Sequence, residues 1–187
     1  MVYSDQYKFI FFAIPKTGSR SNQEHLQEFG IRSKTGWVPN HDNYEQVKKV
    51  LGDERCHEYF KFAFFRNPWS FLVSLFFHNR TVHQLPFKKD TITEWLNMHR
   101  GDSFAPYIFD KDGNVILDFI GKLENIEEDL KIVCEKIDIP APKNTYHIGK
   151  QKDREKLYYK EYFESPVLVE KIRNIFSKSL DVLKYEF

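Results

Sequence analysis

The chain has 187 residues, with 28 Lys and Arg against 27 Asp and Glu, a net charge of +1. So even a balance argues against a general nucleic-acid binder, and a mean hydropathy of −0.57 argues against a membrane-embedded or disordered chain. Two cysteines, Cys56 and Cys134, cannot build a disulfide framework and suit a reducing compartment. The longest apolar run, Phe9 to Ile14, is far short of the length of about 20 residues needed to cross a bilayer, and it lacks the features of a signal peptide. One cytoplasmic domain over residues 1–187, with no membrane anchor, is therefore expected. The unusual figure is 18 Phe within 17% aromatic residues, which calls for a Phe-packed core or a ring-lined site.

Lys8 to Ile14 reads as a strand buried on both faces and ended by Pro15. After the polar loop Pro15 to Ser21, Asn22 to Phe29 has helical character with Gly30 as its C-cap. Asp42 to Leu51 is a second helix, with Gly52 past its end. Tyr59 to Phe65 is a second buried strand; it stops at Arg66-Asn67-Pro68, where Pro68 opens a helix reaching about Phe77. Strand, loop, helix, helix, strand, loop, helix implies an α/β fold, a P-loop-like single domain with a central parallel sheet flanked by helices. Further on, Thr91 to His99 reads as a helix. Tyr107–Asp110 and Val115–Phe119 flank a hairpin-like turn, Asn125 caps an amphipathic helix, and Ser165-Pro166 opens a last one carrying Leu168, Ile172, Ile175, Phe176 and Leu180 on one stripe.

Two junctions carry chemistry. Pro15-Lys16-Thr17-Gly18-Ser19-Arg20-Ser21 joins a strand to a helix through a glycine-containing loop. Such a loop binds anions through backbone N–H groups and the helix dipole, with Lys16 as a point charge and Thr17, Ser19 and Ser21 as hydroxyl donors. No Gly-Lys-Ser/Thr triplet closes the loop, so it is not a Walker motif. The second junction, Arg66-Asn67-Pro68, follows the second buried strand, and Ser74 lies eight positions after Arg66. Arginine at the carboxyl edge of a sheet offers a planar fork for a phosphate.

Taken together, the junctions resemble those of the sulfotransferases that use 3′-phosphoadenosine 5′-phosphosulfate (PAPS), especially the carbohydrate O-sulfotransferase branch and its short bacterial or viral-type members. The resemblance implies that residues 15–21 grip the 5′-phosphosulfate and that Arg66 and Ser74 grip the 3′-phosphate. It extends more loosely to Asp118–Asn125 and to the closing Lys184–Phe187. Two positions depart from the pattern. Phe71 stands where many members have a basic residue, and Lys150 stands where a serine is frequent. Residues 143–160 hold six Lys or Arg against two acids and are candidates to cover the nucleotide, or simply a solvated charged loop.

Sulfuryl transfer needs a charge clamp on the leaving phosphate, a base for the acceptor hydroxyl and in-line geometry. Lys16 is the expected clamp. His41, which precedes the second helix and matches a histidine that short family members carry there, is the expected base; its alternative role is to help start that helix. His78 is the reserve, and His25, His57, His83, His99 and His147 read as packing or surface residues. Trp37, Trp69, Trp95, Tyr107 and Phe109 read as core rings, with Trp69, beside Arg66, the one positioned to stack on a ligand. No His, Cys or Asp cluster at metal-ligand spacing is present, so no metal is expected. The expected activity is sulfuryl transfer from PAPS, releasing 3′-phosphoadenosine 5′-phosphate (PAP), to a carbohydrate or small alcohol. A P-loop-type small-molecule kinase and a non-catalytic nucleotide-binding module are the alternatives.

Overall fold

The computed structural model describes residues 1–33, 41–82, 89–142 and 159–187, with side chains left undescribed at 80–82 and 89–91. They belong to two compact units, Met1–Phe65 with Pro106–Lys150 and Arg66–Ala105 with Gln151–Phe187.

The first unit is built on a five-stranded sheet. Its strands are β1 (Val2–Ser4), β2 (Phe9–Phe12), β3 (Ile31–Arg32), β4 (Phe60–Phe65) and β5 (Phe119–Lys122), in the order β3-β1-β2-β4-β5. The centre is parallel: Phe9 lies opposite Phe60 and Phe11 opposite Phe62, while Phe62 faces Phe119 on the other side. β1 pairs antiparallel with both β2 and β3, so the sheet is parallel at its centre and antiparallel along one edge.

Every residue of β2 and five of the six in β4 are buried, as continuously apolar strands covered on both faces must be. Alternation sends Phe9, Phe11, Phe62 and Phe64 to one face. There they meet Leu26 of α1 (Ser19–Leu26) and Leu130, Val133 and Cys134 of α6 (Ile126–Lys136). The Phe11 and Phe62 rings stack at 5.2 Å and the Phe62 and Phe64 rings meet edge-on at 6.3 Å. Full burial of each such ring contributes about 1.5–3 kcal/mol, so this ladder is where much of the phenylalanine content goes. β5 passes close beneath it: a Cβ on Gly121 would lie 2.5 Å from the Phe64 ring. On the opposite face, Phe12 lies 6.4 Å from Tyr44 of α2 (Tyr44–Glu58).

Several boundaries differ from the sequence reading. α1 starts at Ser19 rather than Asn22, directly after Gly18. The helix that ends at Leu51 does stop there, at a Gly52 of non-helical backbone (φ 84°, ψ 165°), but a second helical stretch follows at once and carries α2 on to Glu58. Gly30 is needed for close approach rather than capping: a Cβ there would fall 2.5 Å from the Tyr3 carbonyl oxygen. The expected hairpin is reduced to one antiparallel bridge, Phe109 with Val115, around a turn closed by Asp110, whose carboxylate accepts from the Asp112 and Asn114 N–H groups. Phe119 has left that hairpin to pair with β4. Asn125 does not cap α6 through its side chain; a 3-10 turn, Leu123–Asn125, leads in, and Asp129 accepts the Lys122 N–H at 2.6 Å.

The second unit is helical: α3 (Pro68–Val82), α4 (Lys89–Met98), a 3-10 turn (Tyr159–Tyr162), α7 (Pro166–Ile175) and α8 (Ser177–Leu183). The four-residue α5 (Ala105–Ile108) spans the boundary between units. Phe71 joins a ring cluster with Phe104 (4.6 Å) and Phe176 (6.5 Å). That cluster explains the departure at position 71, since a basic side chain there would have to be buried against the Phe104 and Phe176 rings. The single last helix of the sequence reading is two, because the backbone breaks at Phe176 (φ −95°, ψ 12°) as its ring turns into this cluster. Among the described residues, no helix is long and apolar enough to cross a membrane.

Candidate active site

β2 ends at Phe12, and Ala13 and Ile14 remain buried as the chain enters the loop. Lys16 occupies the left-handed region at φ 63° and Gly18 does so at φ 74°. For lysine that conformation costs on the order of 1–2 kcal/mol and has to be held in place by its surroundings. Part of the hold is Thr17, only 1% exposed, whose hydroxyl donates to the Ile14 carbonyl at 3.0 Å. Its proton is thereby committed within the loop, leaving Thr17 its backbone N–H for a ligand. Gly18 needs its missing side chain twice: a Cβ would be strained by the positive φ and would sit 2.8 Å from Leu123 Cδ1.

Gly18 is the N-cap of α1 and supplies no side-chain cap, and the first turn of the helix carries no acidic residue. With Lys16 before it, Arg20 exposed in its first turn and Ser19 and Ser21 beside it, this is a helix N-terminus with the donor set of an anion cradle. The donor chemistry fits a phosphosulfate.

His41 reaches the same strand end. Its Nδ1 lies 2.5 Å from the Ala13 carbonyl oxygen, two residues before Pro15. A carbonyl only accepts, so Nδ1 carries the proton and Nε2 is the basic nitrogen of the neutral ring. Burial lowers the His41 pKa most. The Ala13 bond and Asp42 oppose that, while the terminal ammonium of Met1 and Arg20 add to it. The neutral form therefore holds to lower pH than for an ordinary histidine. Asp42, exposed to only 1%, pairs with the Met1 ammonium at 3.4 Å, and Asn43 and Gln46 form a reciprocal capping box at the start of α2.

The junction after β4 is built differently. Asn67, not Arg66, organises the turn: its Oδ1 accepts from the N–H groups of Trp69 (3.2 Å) and Ser70 (3.3 Å), and its Nδ2 donates to the Glu186 carbonyl at 2.7 Å. Arg66 Nε donates to Ser70 Oγ at 2.8 Å, so a hydroxyl four residues on meets this arginine. Ser74 is buried along α3, only 3% exposed. Trp69 does not stack on a ligand. It is fully buried, its indole N–H donates to the Val169 carbonyl, its ring meets Phe187 edge-on at 5.5 Å, and Arg173 lies over it at 5.4 Å.

Of the other candidates, His78 is exposed on α3. His25 is buried, with Nε2 3.0 Å from the Pro140 carbonyl oxygen, and His99 stacks on Phe176; both have pKa values lowered by burial. Trp37, His83, His147 and Lys150 lie outside the described residues, as does most of the 143–160 segment. Sequence reasoning assigned Tyr107 to the core and missed its hydroxyl, which donates to the His41 carbonyl at 3.1 Å. No local pattern links positions 66 apart. Among the described residues, no group of three or more His, Cys, Asp or Glu is placed to hold a metal ion.

Comparison with known proteins places these elements in context. A family model described as the sulfotransferase family matches residues 1–112. An uncharacterized protein from Archaeoglobus fulgidus is 31% identical over 98 residues, covering 50% of this chain and 80% of its own length. No solved structure matches.

Proposed function

The chain belongs to the sulfotransferase family, and from that premise we propose that it transfers a sulfuryl group from PAPS to the hydroxyl of a carbohydrate or small alcohol. In this reading the chain acts as one sulfotransferase-like domain. Residues 15–21 receive the 5′-phosphosulfate through backbone N–H groups, hydroxyls and Lys16. Arg66 takes the 3′-phosphate with Ser74, and His41 is the base. The acceptor oxygen attacks sulfur in line with the departing phosphate. The acceptor proton passes to His41 Nε2, the bond between sulfur and the bridging oxygen breaks, and Lys16 stabilises the negative charge gathering on the 5′-phosphate of PAP.

The observation that carries the reading is the bond between His41 Nδ1 and the Ala13 carbonyl. It ties a neutral, correctly tautomerised imidazole to the strand whose end becomes the Lys16 loop. Support also comes from the left-handed Lys16 ahead of the N-terminus of α1, which has no side-chain cap and no acid in its first turn.

The test is a transfer assay with sulfur-labelled PAPS over sugar and small-alcohol acceptors, comparing wild type with His41→Ala. Removal of a general base should slow transfer on the order of 10²–10⁴-fold while PAP still binds. Unchanged turnover in His41→Ala would remove His41 as the base. PAP binding with no transfer to any acceptor would favour a non-catalytic module.

A further inference from the structure

Three consecutive residues ahead of α2 are each tied to a different part of the first unit. His41 is bonded through its ring to the end of β2, Asp42 through its carboxylate to the Met1 ammonium, and Asn43 through its capping box to α2 itself. A fourth tie acts on the backbone, where the Tyr107 hydroxyl of α5 donates to the His41 carbonyl. The ring and the main chain of one residue are thus clamped from two elements far apart in sequence.

Such a clamp matters for a base. The Ala13 bond sets which nitrogen carries the proton only while the ring stays against that carbonyl, and the ring can swing away from it as the backbone behind it moves. Fixing the carbonyl removes that freedom, and displacement of a reacting group by about 1 Å can cost on the order of 10²-fold in rate.

We infer that Tyr107 is a positioning residue for sulfuryl transfer: its hydroxyl, by holding the His41 main chain, keeps Nε2 directed at the acceptor proton. The inference rests on His41 being the base.

The chemistry of the clamp suits a permanent donor. Burial, with a contribution from the Asp42 charge, pushes the Tyr107 phenol up to about 12, so it stays protonated throughout any working range and cannot act as a competing base. The charged and titratable groups facing His41 are Asp42 beside it, the Met1 ammonium next to β1, Arg20 on α1 and this phenol on α5.

The experiment pairs Tyr107→Phe with His41→Gln in the full chain. Tyr107→Phe keeps the buried ring and removes only the donor. It should lower kcat about tenfold with KM for PAPS and PAP binding within about twofold of wild type, since the lesion lies at the base rather than in the phosphate cradle. Nitrogen-15 spectra of His41 supply a readout that packing alone would not move. Wild type should show one tautomer, Nδ1–H, near neutral pH, and Tyr107→Phe should show averaging of the two. Normal kcat with an unchanged His41 spectrum in Tyr107→Phe would overturn the inference. Should that variant not fold, an Nε2–H tautomer in the wild-type protein alone would overturn it. If His41→Gln keeps full turnover, the catalytic reading fails, and with it any positioning role; if His41→Gln is inactive while Tyr107→Phe is normal, only the positioning role fails.

Discussion

The two strand-to-helix junctions begin from the same plan and finish in opposite states. After β2, the chain enters α1 through Gly18 with no side-chain cap and no acid in the first turn. After β4, the chain enters α3 with the Asn67 carboxamide already bonded to the N–H groups of Trp69 and Ser70. The first junction offers an anion its backbone; the second offers only side chains, chiefly Arg66. This difference predicts a division of labour. Charge that develops during reaction belongs at the open junction, where many fixed dipoles converge, and a static phosphate belongs at the closed one, where a guanidinium supplies orientation.

The comparison can be broken by substitution. Of the substitutions at the two junctions, Lys16→Ala carries the largest expected effect, a loss of about 10²–10³ in kcat, as for removal of one group that stabilises developing charge. Retention of wild-type kcat would show that the backbone suffices. Arg66→Ala should act on the other quantity, weakening PAP binding by roughly 10–100-fold, the value of a charge-assisted contact of about 1.5–3 kcal/mol. Calorimetric titration with PAP measures it, and a fall in kcat with unchanged affinity would contradict the division. Smaller and complementary effects come from the backbone. Gly18→Ala should cost about 1–2 kcal/mol through its positive φ and weaken PAP as well. Asn67→Ala should cost about 1 kcal/mol through the lost cap, with PAP affinity held. Denaturant unfolding measures both costs, and titration with PAP separates the pair.

The sequence made β2, β4, the Lys16 loop and Pro68 as a helix opener legible, because each is encoded within a few residues: continuous apolar runs, a left-handed glycine, a proline at N1. It concealed what depends on distant partners. β1 and β3 have three and two residues, too short for any periodicity, and exist only through pairing across the sheet. Trp69 follows Arg66 by three residues, yet the capped turn directs its indole to Val169, 100 residues away. The stripe through α7 and α8 is continuous in sequence and is interrupted only because Phe176 has Phe104 to pack against. His41 was recognisable as a candidate, but its tautomer is set by Ala13, 28 residues earlier.

Acid titration gives the smallest effect. His25, His41 and His99 all have pKa values lowered by burial. Each folded pKa lies below the unfolded value of about 6.5, so the unfolded chain binds more protons in that interval. Their stabilisation is present above about pH 6.5 and is lost as pH falls through the folded values. Melting curves should show stability declining below pH 6.5, with transfer activity persisting to lower pH than an ordinary histidine base would allow.

The most direct measurement of the central claim is thermal unfolding in the presence of PAP. At about 100 times its dissociation constant, PAP should add roughly 2.7 kcal/mol of stability, a rise in Tm of about 5–10 °C for a chain of this size. The Lys16 loop and Arg66 predict that rise for PAP and none for ATP with magnesium; a shift with ATP and magnesium and none with PAP would contradict the account.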